Sequence, residues 1–96
     1  MRRPSSPSRG SAISENKAVL TLYSRQYCHL CQDMLLALED LRGELAFAIE
    51  VLDIDADPVL EAKYNDFVPV LEADGRELCH YVLDVAKVRE YLRGRP

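Results

Sequence analysis

The 96 residues carry 12 lysines and arginines against 16 aspartates and glutamates, a formal charge of −4, with 48% hydrophobic and 29% charged side chains. This is the balance of one small globular domain, neither collagen-like nor low-complexity, and no run approaches the roughly 18 apolar residues that a membrane span requires. Residues 1–17 hold Arg2, Arg3, Arg9 and Lys17 against Glu15, which is +3 and leaves −7 on the remainder; so acidic a body argues against nucleic acid as the main partner, because phosphate binding needs a basic face.

Residues 1–17 are expected to form a flexible tail ahead of a domain over 18–94. The arginine- and serine-rich, acid-poor tail resembles an organelle transit peptide, which is the alternative, but Pro4 and Pro7 spoil an amphipathic helix. It has no apolar stretch of the secretory type. Three cysteines, an odd number, do not read as a secreted disulfide scaffold. A cytoplasmic, soluble monomer is expected.

Along the chain, "AVLTLYS" (18–24) is β-branched and aliphatic on both faces, as a strand covered on both sides would be. From Leu30 the apolar positions Leu30, Met34, Ala37, Leu38, Leu41 and Leu45 recur at three- and four-residue steps, a helix with one buried stripe. Gly43 stands where a left-handed helix terminator is commonly found. "AFAIEVLDID" reads as a second strand, with Phe47, Ile49 and Val51 on one face and Ala48, Leu52 and Ile54 on the other. Strand, helix and strand within so short a span imply a right-handed parallel crossover. Asp57-Pro58 supplies a cap and a first-turn proline for a short helix through Tyr64, closed near Asn65.

"FVPVLEADGRELCHYVL" (67–83) then contains Asp74-Gly75 between two β-like runs, the signature of a tight hairpin with positive φ at both central residues. The fourth strand is expected to alternate Leu78, His80 and Val82 against Cys79, Tyr81 and Leu83. Asp84 can cap a last helix with Val85, Val88 and Leu92 on one face, ended by Gly94. The order is β-α-β-α-β-β-α.

Cys28 falls at the first strand-to-helix junction and Cys31 one turn further on. A helix N-terminus favours an anion by up to about 2 kcal/mol in a partly buried site. At about 1.4 kcal/mol per pKa unit, this is enough to leave a fraction of the Cys28 thiol ionised at neutral pH, and Arg25 and His29 are near enough in sequence to add to the effect. The thiolate is the species that attacks a disulfide. Cys28 is therefore the expected nucleophile, and Cys31, inside the helix and more buried, the expected resolving thiol. Zinc would need about four ligands, and the only further candidates, Cys79 and His80, are adjacent in a strand and point to opposite faces. Thiols kept for packing or as a regulatory switch are a further alternative. The run Asp53, Asp55, Asp57 lacks the glycine and distal glutamate of a calcium loop and reads as a strand end and a cap.

"LYSRQYCHLC", "FVPVL" and "ADGREL" together make the chain from about Leu20 to Leu92 resemble the glutaredoxins of the thioredoxin superfamily, more closely the small glutaredoxin-like proteins. The resemblance implies a three-layer α/β/α fold around a four-stranded mixed sheet in the order 2-1-3-4, with the first and third helices on one face and the second on the other. It implies a cis Val68–Pro69 bond facing the thiols, the backbone before the proline pairing with an extended substrate and the proline ring packing beside the sulfurs. The function it implies is a thiol-disulfide oxidoreductase acting on protein or small-molecule disulfides, with no cofactor beyond an external reductant. Tyr27, His29, Leu30, Val68 and Pro69 are then the expected substrate contacts. The chain departs from the family in having His29 and Leu30 between its thiols, Phe67 before Val68, and "LCHYVLD" where glutathione-binding members carry a glycine pair. These departures argue against glutathione as the working reductant, and a non-catalytic binding or redox-sensing module is the alternative function.

Overall fold

The computed structural model describes residues 18–94; the tail expected over 1–17 lies outside them. Strand β1 (Ala18–Ser24) runs into helix α1 (His29–Leu41), followed by β2 (Phe47–Asp53), a 3-10 turn (Ile54–Ala56), α2 (Pro58–Tyr64), β3 (Val70–Ala73), β4 (Arg76–His80) and α3 (Val85–Arg93). The four strands form one sheet in the order β2-β1-β3-β4. β1 pairs parallel with β2, Leu22 opposite Val51, and antiparallel with β3, Leu22 opposite Leu71. This is the mixed sheet with one parallel crossover that the element order implied.

Period-two alternation divides the sheet between its two layers. Leu20, Leu22, Phe47 and Leu71 join Met34, Leu38 and Leu41 of α1 and Val88 of α3 in the larger core. Tyr23 and Val70 point the other way, to Ile54 and to Leu60 and Tyr64 of α2. Helices α1 and α3 therefore lie on one face and α2 on the other. Leu20, Leu22 and Leu38 have no exposed surface, and each such side chain contributes about 1.5–3 kcal/mol by leaving water.

Local chemistry sets most element ends. Asp57 and Asp84 accept the N–H groups of Val59 and Lys87 at 2.9 and 3.1 Å, capping α2 and α3. Asp74 and Gly75 have φ of 53° and 78°, as a two-residue hairpin demands. Several expectations are corrected. Gly43 is not left-handed: α1 closes through tightened turns, Gly43 N–H to the Asp40 carbonyl and Glu44 N–H to that of Leu41, both at 3.0 Å. A side chain at Gly43 would put a Cβ 3.2 Å from the Asp40 carbonyl oxygen, so glycine serves there by its small size. Leu45 lies beyond the helix yet still packs on the core. Ile54 belongs to the 3-10 turn, and Val51 is exposed near the end of edge strand β2 instead of sharing the burial of Phe47. Val85, in the first turn of α3, is likewise exposed, leaving Val88 as that helix's buried anchor.

β4 differs most from its expected alternation. Leu71 pairs with Cys79 but Glu72 pairs with Glu77, so Leu78 is the extra residue of a β-bulge and both Leu78 and Cys79 turn into the larger core. The strand then stops at His80, because Tyr81 adopts φ 65° and its N–H donates to the Pro69 carbonyl at 2.8 Å. Val82 and Leu83 lie in the turn to α3.

Candidate functional site

At the C-terminal end of β1 the chain turns through Arg25, Gln26 and Tyr27, the last with φ 59°. Cys28 follows as the N-cap of α1, its backbone extended at φ −113° and ψ 108°. The Cys28 carbonyl accepts the Gln32 N–H at 3.1 Å, the first bond of the helix. Its Sγ accepts the Cys31 N–H at 3.2 Å, the place a serine or aspartate oxygen takes in ordinary caps. Cys28 and Cys31 are joined by a disulfide with their Cα atoms 5.2 Å apart. Cys31 is 4% exposed while Cys28 is only partly buried, so solvent reaches the first sulfur more readily than the second. No carboxylate stands in the first turn of α1 to oppose the helix dipole.

The residues around the pair divide into exposed and committed. Tyr27 is 96% exposed, Leu30 is 45% exposed, and His29 is exposed at the first helical position. Arg25 does not turn to Cys28, as its nearness in sequence allowed. Its guanidinium makes two hydrogen bonds to Asp55, at 2.8 and 3.3 Å, and lies 3.6 Å from Glu61, tying the loop before Cys28 to the 3-10 turn and α2. Asp53 accepts the Asp55 N–H at 2.9 Å and caps the 3-10 turn. The three alternating aspartates thus serve a cap, an ion pair and a second cap. Among the described residues no three histidine, cysteine or carboxylate side chains are arranged to hold a metal ion. Cys79 is buried and His80 exposed. The Cys79 thiol accepts the Asp84 N–H at 3.4 Å, and burial pushes it above the ordinary thiol range.

Strand register brings a second segment to the same end of the sheet. Val70 pairs with Tyr23, so Pro69 comes level with Ser24 where the chain leaves β1 for the thiols. The Val68–Pro69 bond is cis, Pro69 is fully buried and Val68 is half-buried against α2. No backbone hydrogen bond joins Val68 to the rest of the described chain. The hydrogen bond from Tyr81 to Pro69 brings the turn after β4 to this end as well, and the Tyr81 hydroxyl donates to the Asp66 carbonyl at 2.6 Å. Phe67, His80 and Tyr81 form a chain of edge-to-face rings, with centroids 5.9 and 4.6 Å apart. Tyr81 and Val82 are 41% and 69% exposed. Neither was foreseen in the sequence, because only the unexpected end of β4 brings them to this end of the sheet, facing Leu30.

The Glutaredoxin-like domain (DUF836) family model matches residues 19–93. The chain belongs to this family. A Nitrosomonas europaea protein solved in solution by NMR is 42% identical, covers 79% of this chain and 92% of its own, and superposes with a TM-score of 0.73. An uncharacterized protein of Mycobacterium tuberculosis is 32% identical over 73 residues, 71% of this chain and 75% of that protein. A point-mutant thioredoxin of Halobacterium salinarum is 26% identical over 88% of this chain and 80% of its own, with a TM-score of 0.56. This member of the glutaredoxin-like family is a thioredoxin-like redox module with its cysteine pair at the head of the first helix. No helix of the described residues is long and apolar enough to cross a membrane.

Proposed function

We propose that the protein is a thiol-disulfide oxidoreductase. The observation that carries this reading is the hydrogen bond from the Cys31 N–H to the Cys28 sulfur at the helix cap. In the reduced protein that N–H and the helix dipole stabilise a thiolate on Cys28. The thiolate attacks one sulfur of a substrate disulfide, forming a mixed disulfide and expelling the other sulfur as a thiol. Cys31 loses its proton, attacks Cys28 Sγ and closes the protein disulfide, releasing the second thiol. Two electrons pass from the protein to the substrate, the proton lost by Cys31 and one taken from water complete the two product thiols, and an external thiol reductant restores the dithiol.

The Val68 backbone, unpaired among the described residues, is suited to hold an extended substrate segment, Pro69 lies buried beside it and fixes the turn without offering a contact surface, and Tyr27, His29 and Leu30 offer the exposed surface around Cys28. The substrate is a protein or small-molecule disulfide. Side chains at Tyr81 and Val82, in the stretch where glutathione-binding relatives carry glycines, speak for a reductant other than glutathione. A reducing compartment such as the cytoplasm maintains the dithiol. The same occupied turn favours a second reading, a redox-sensing module without turnover.

The test is disulfide reduction with a dithiol as electron source. Wild type should turn over, Cys28→Ser should be inactive, and Cys31→Ser should accumulate a mixed disulfide on Cys28 visible by mass spectrometry. Activity retained by Cys28→Ser refutes the reading. A wild type oxidised once without recycling leaves the sensing module.

A further inference from the structure

The turn that carries the chain from β1 to Cys28 has to be held by its surroundings. Tyr27 adopts φ 59°, a backbone that non-glycine residues rarely take and keep only where neighbouring structure fixes it. Its own ring fixes nothing, being 96% exposed. Among the described residues neither Gln26 nor Tyr27 makes a side-chain hydrogen bond, which leaves Arg25 as the turn's side-chain anchor. Its guanidinium donates to both carboxylate oxygens of Asp55 and reaches Glu61, a forked grip that lysine cannot copy.

What Arg25 grips is fixed. Ser24 and Asp53 are paired at the ends of β1 and β2, so the two strands leave the sheet side by side. Ile54, with no exposed surface, plants the 3-10 turn in the smaller core, where Leu60 and Tyr64 also seat α2. Asp53 caps the 3-10 turn and Asp57 caps α2. Asp55 and Glu61 therefore stand on anchored elements, and Arg25 ties the exit of β1 to them across thirty residues of chain. Charge is not what the cluster brings to Cys28, because one cation faces two carboxylates and no net positive charge remains.

We propose that Arg25 is a positioning residue for Cys28: by gripping Asp55 and Glu61 it fixes the left-handed turn at Tyr27 and so sets the first sulfur against the Cys31 N–H. The proposal rests on the oxidoreductase reading for the role of Cys28, and it gives Asp55 and Glu61 a part in that site. Once the grip is lost the turn relaxes and Cys28 leaves the cap. Its thiolate then loses the stabilisation that the N–H and the helix dipole provide. A cation set free near the sulfur acts in the opposite direction, since a nearby positive charge favours the thiolate. Breaking the tie from its carboxylate side therefore has a sign that separates placement from charge.

The experiment follows the pH dependence of Cys28 alkylation in the reduced full chain carrying Cys31→Ser, alone and combined with Arg25→Ala, with Arg25→Lys, or with Asp55→Ala and Glu61→Gln together. Each is measured well below its own melting temperature. Arg25→Ala and the carboxylate pair should both raise the half-maximal pH by about 0.5–1 unit, as part of the helix-terminus stabilisation is lost. Arg25→Lys should leave most of that shift in place, and removing both sides of the tie should add little to removing one, because the side chains act as a unit. A lowered half-maximal pH in the carboxylate variant, where Arg25 keeps its charge without its partners, overturns positioning in favour of charge; no shift in either variant overturns it outright. Turnover of a disulfide by the wild type is measured in parallel. Raised profiles without wild-type turnover keep the role of Arg25 and remove the oxidoreductase reading, whereas turnover with unmoved profiles removes the role of Arg25 alone.

Discussion

Replacing Cys28 by alanine and by serine separates its two roles, reactive thiol and helix cap. Its sulfur lies 3.2 Å from the Cys31 N–H, one of the donors at the head of α1 that have no partner within the helix. Serine is a preferred N-cap and alanine a poor one, a difference of about 1 kcal/mol within a range of about 0.5–2. For a domain of 60–100 residues each kcal/mol moves Tm by about 4–8 °C. Neither variant can form the Cys28–Cys31 disulfide, so comparing the two under reducing conditions removes its contribution. Cys28→Ser should melt about 4–8 °C above Cys28→Ala, and both should lack disulfide reductase activity. The assay is thermal unfolding followed by circular dichroism with a phosphine reductant present. Equal melting temperatures, or a more stable alanine variant, would show that the sulfur position does not satisfy the helix terminus.

Two further predictions concern the scaffold. Tyr64 donates from its hydroxyl to Glu72 at 2.5 Å and stacks on Tyr23; Tyr64→Phe keeps the ring and should cost about 1.5 kcal/mol at neutral pH, the low end for a bond to a charged group because Glu72 is half-buried. Burial first, and then Glu72, push the Tyr64 phenol well above its usual range, so the unfolded chain loses this proton before the folded one. The contribution is complete below about pH 10 and declines above it. Urea titrations at rising alkaline pH should show the wild type losing its advantage over Tyr64→Phe, and a constant gap would refute the assignment. Gly75 has φ 78° with nothing within 4 Å of an added Cβ, so Gly75→Ala should cost about 1–2 kcal/mol from backbone strain alone. Unchanged urea stability would contradict this.

Features written in short stretches of sequence were legible in it. The caps at Asp57 and Asp84 and the hairpin at Asp74-Gly75 follow from a side chain meeting a nearby N–H or from a glycine-compatible backbone, so they needed no tertiary information. The two thiols were legible for the same reason. The sulfur as a cap was less so, since the apolar rhythm starts at Leu30 whereas the helix starts at His29. Features decided by distant partners were hidden. Arg25 looked available to Cys28 but is engaged by Asp55, thirty residues away. The end of β4 depends on Tyr81 reaching Pro69 and Asp66, and the bulge at Leu78 shifts a register that simple alternation assumes to be constant. The turn of Tyr81 and Val82 at the cysteine end of the sheet is therefore the part of the site that the sequence did not disclose.

The most direct measurement is the pH dependence of alkylation of the reduced protein in Cys31→Ser, with the modified residue identified by mass spectrometry. Cys28 should react with its half-maximal rate at a pH below that of an unfolded cysteine peptide, and Cys79, buried with its thiol pushed up, should react only on unfolding. A Cys28 profile that coincides with the unfolded peptide would contradict the thiolate at the helix terminus on which the proposed chemistry depends.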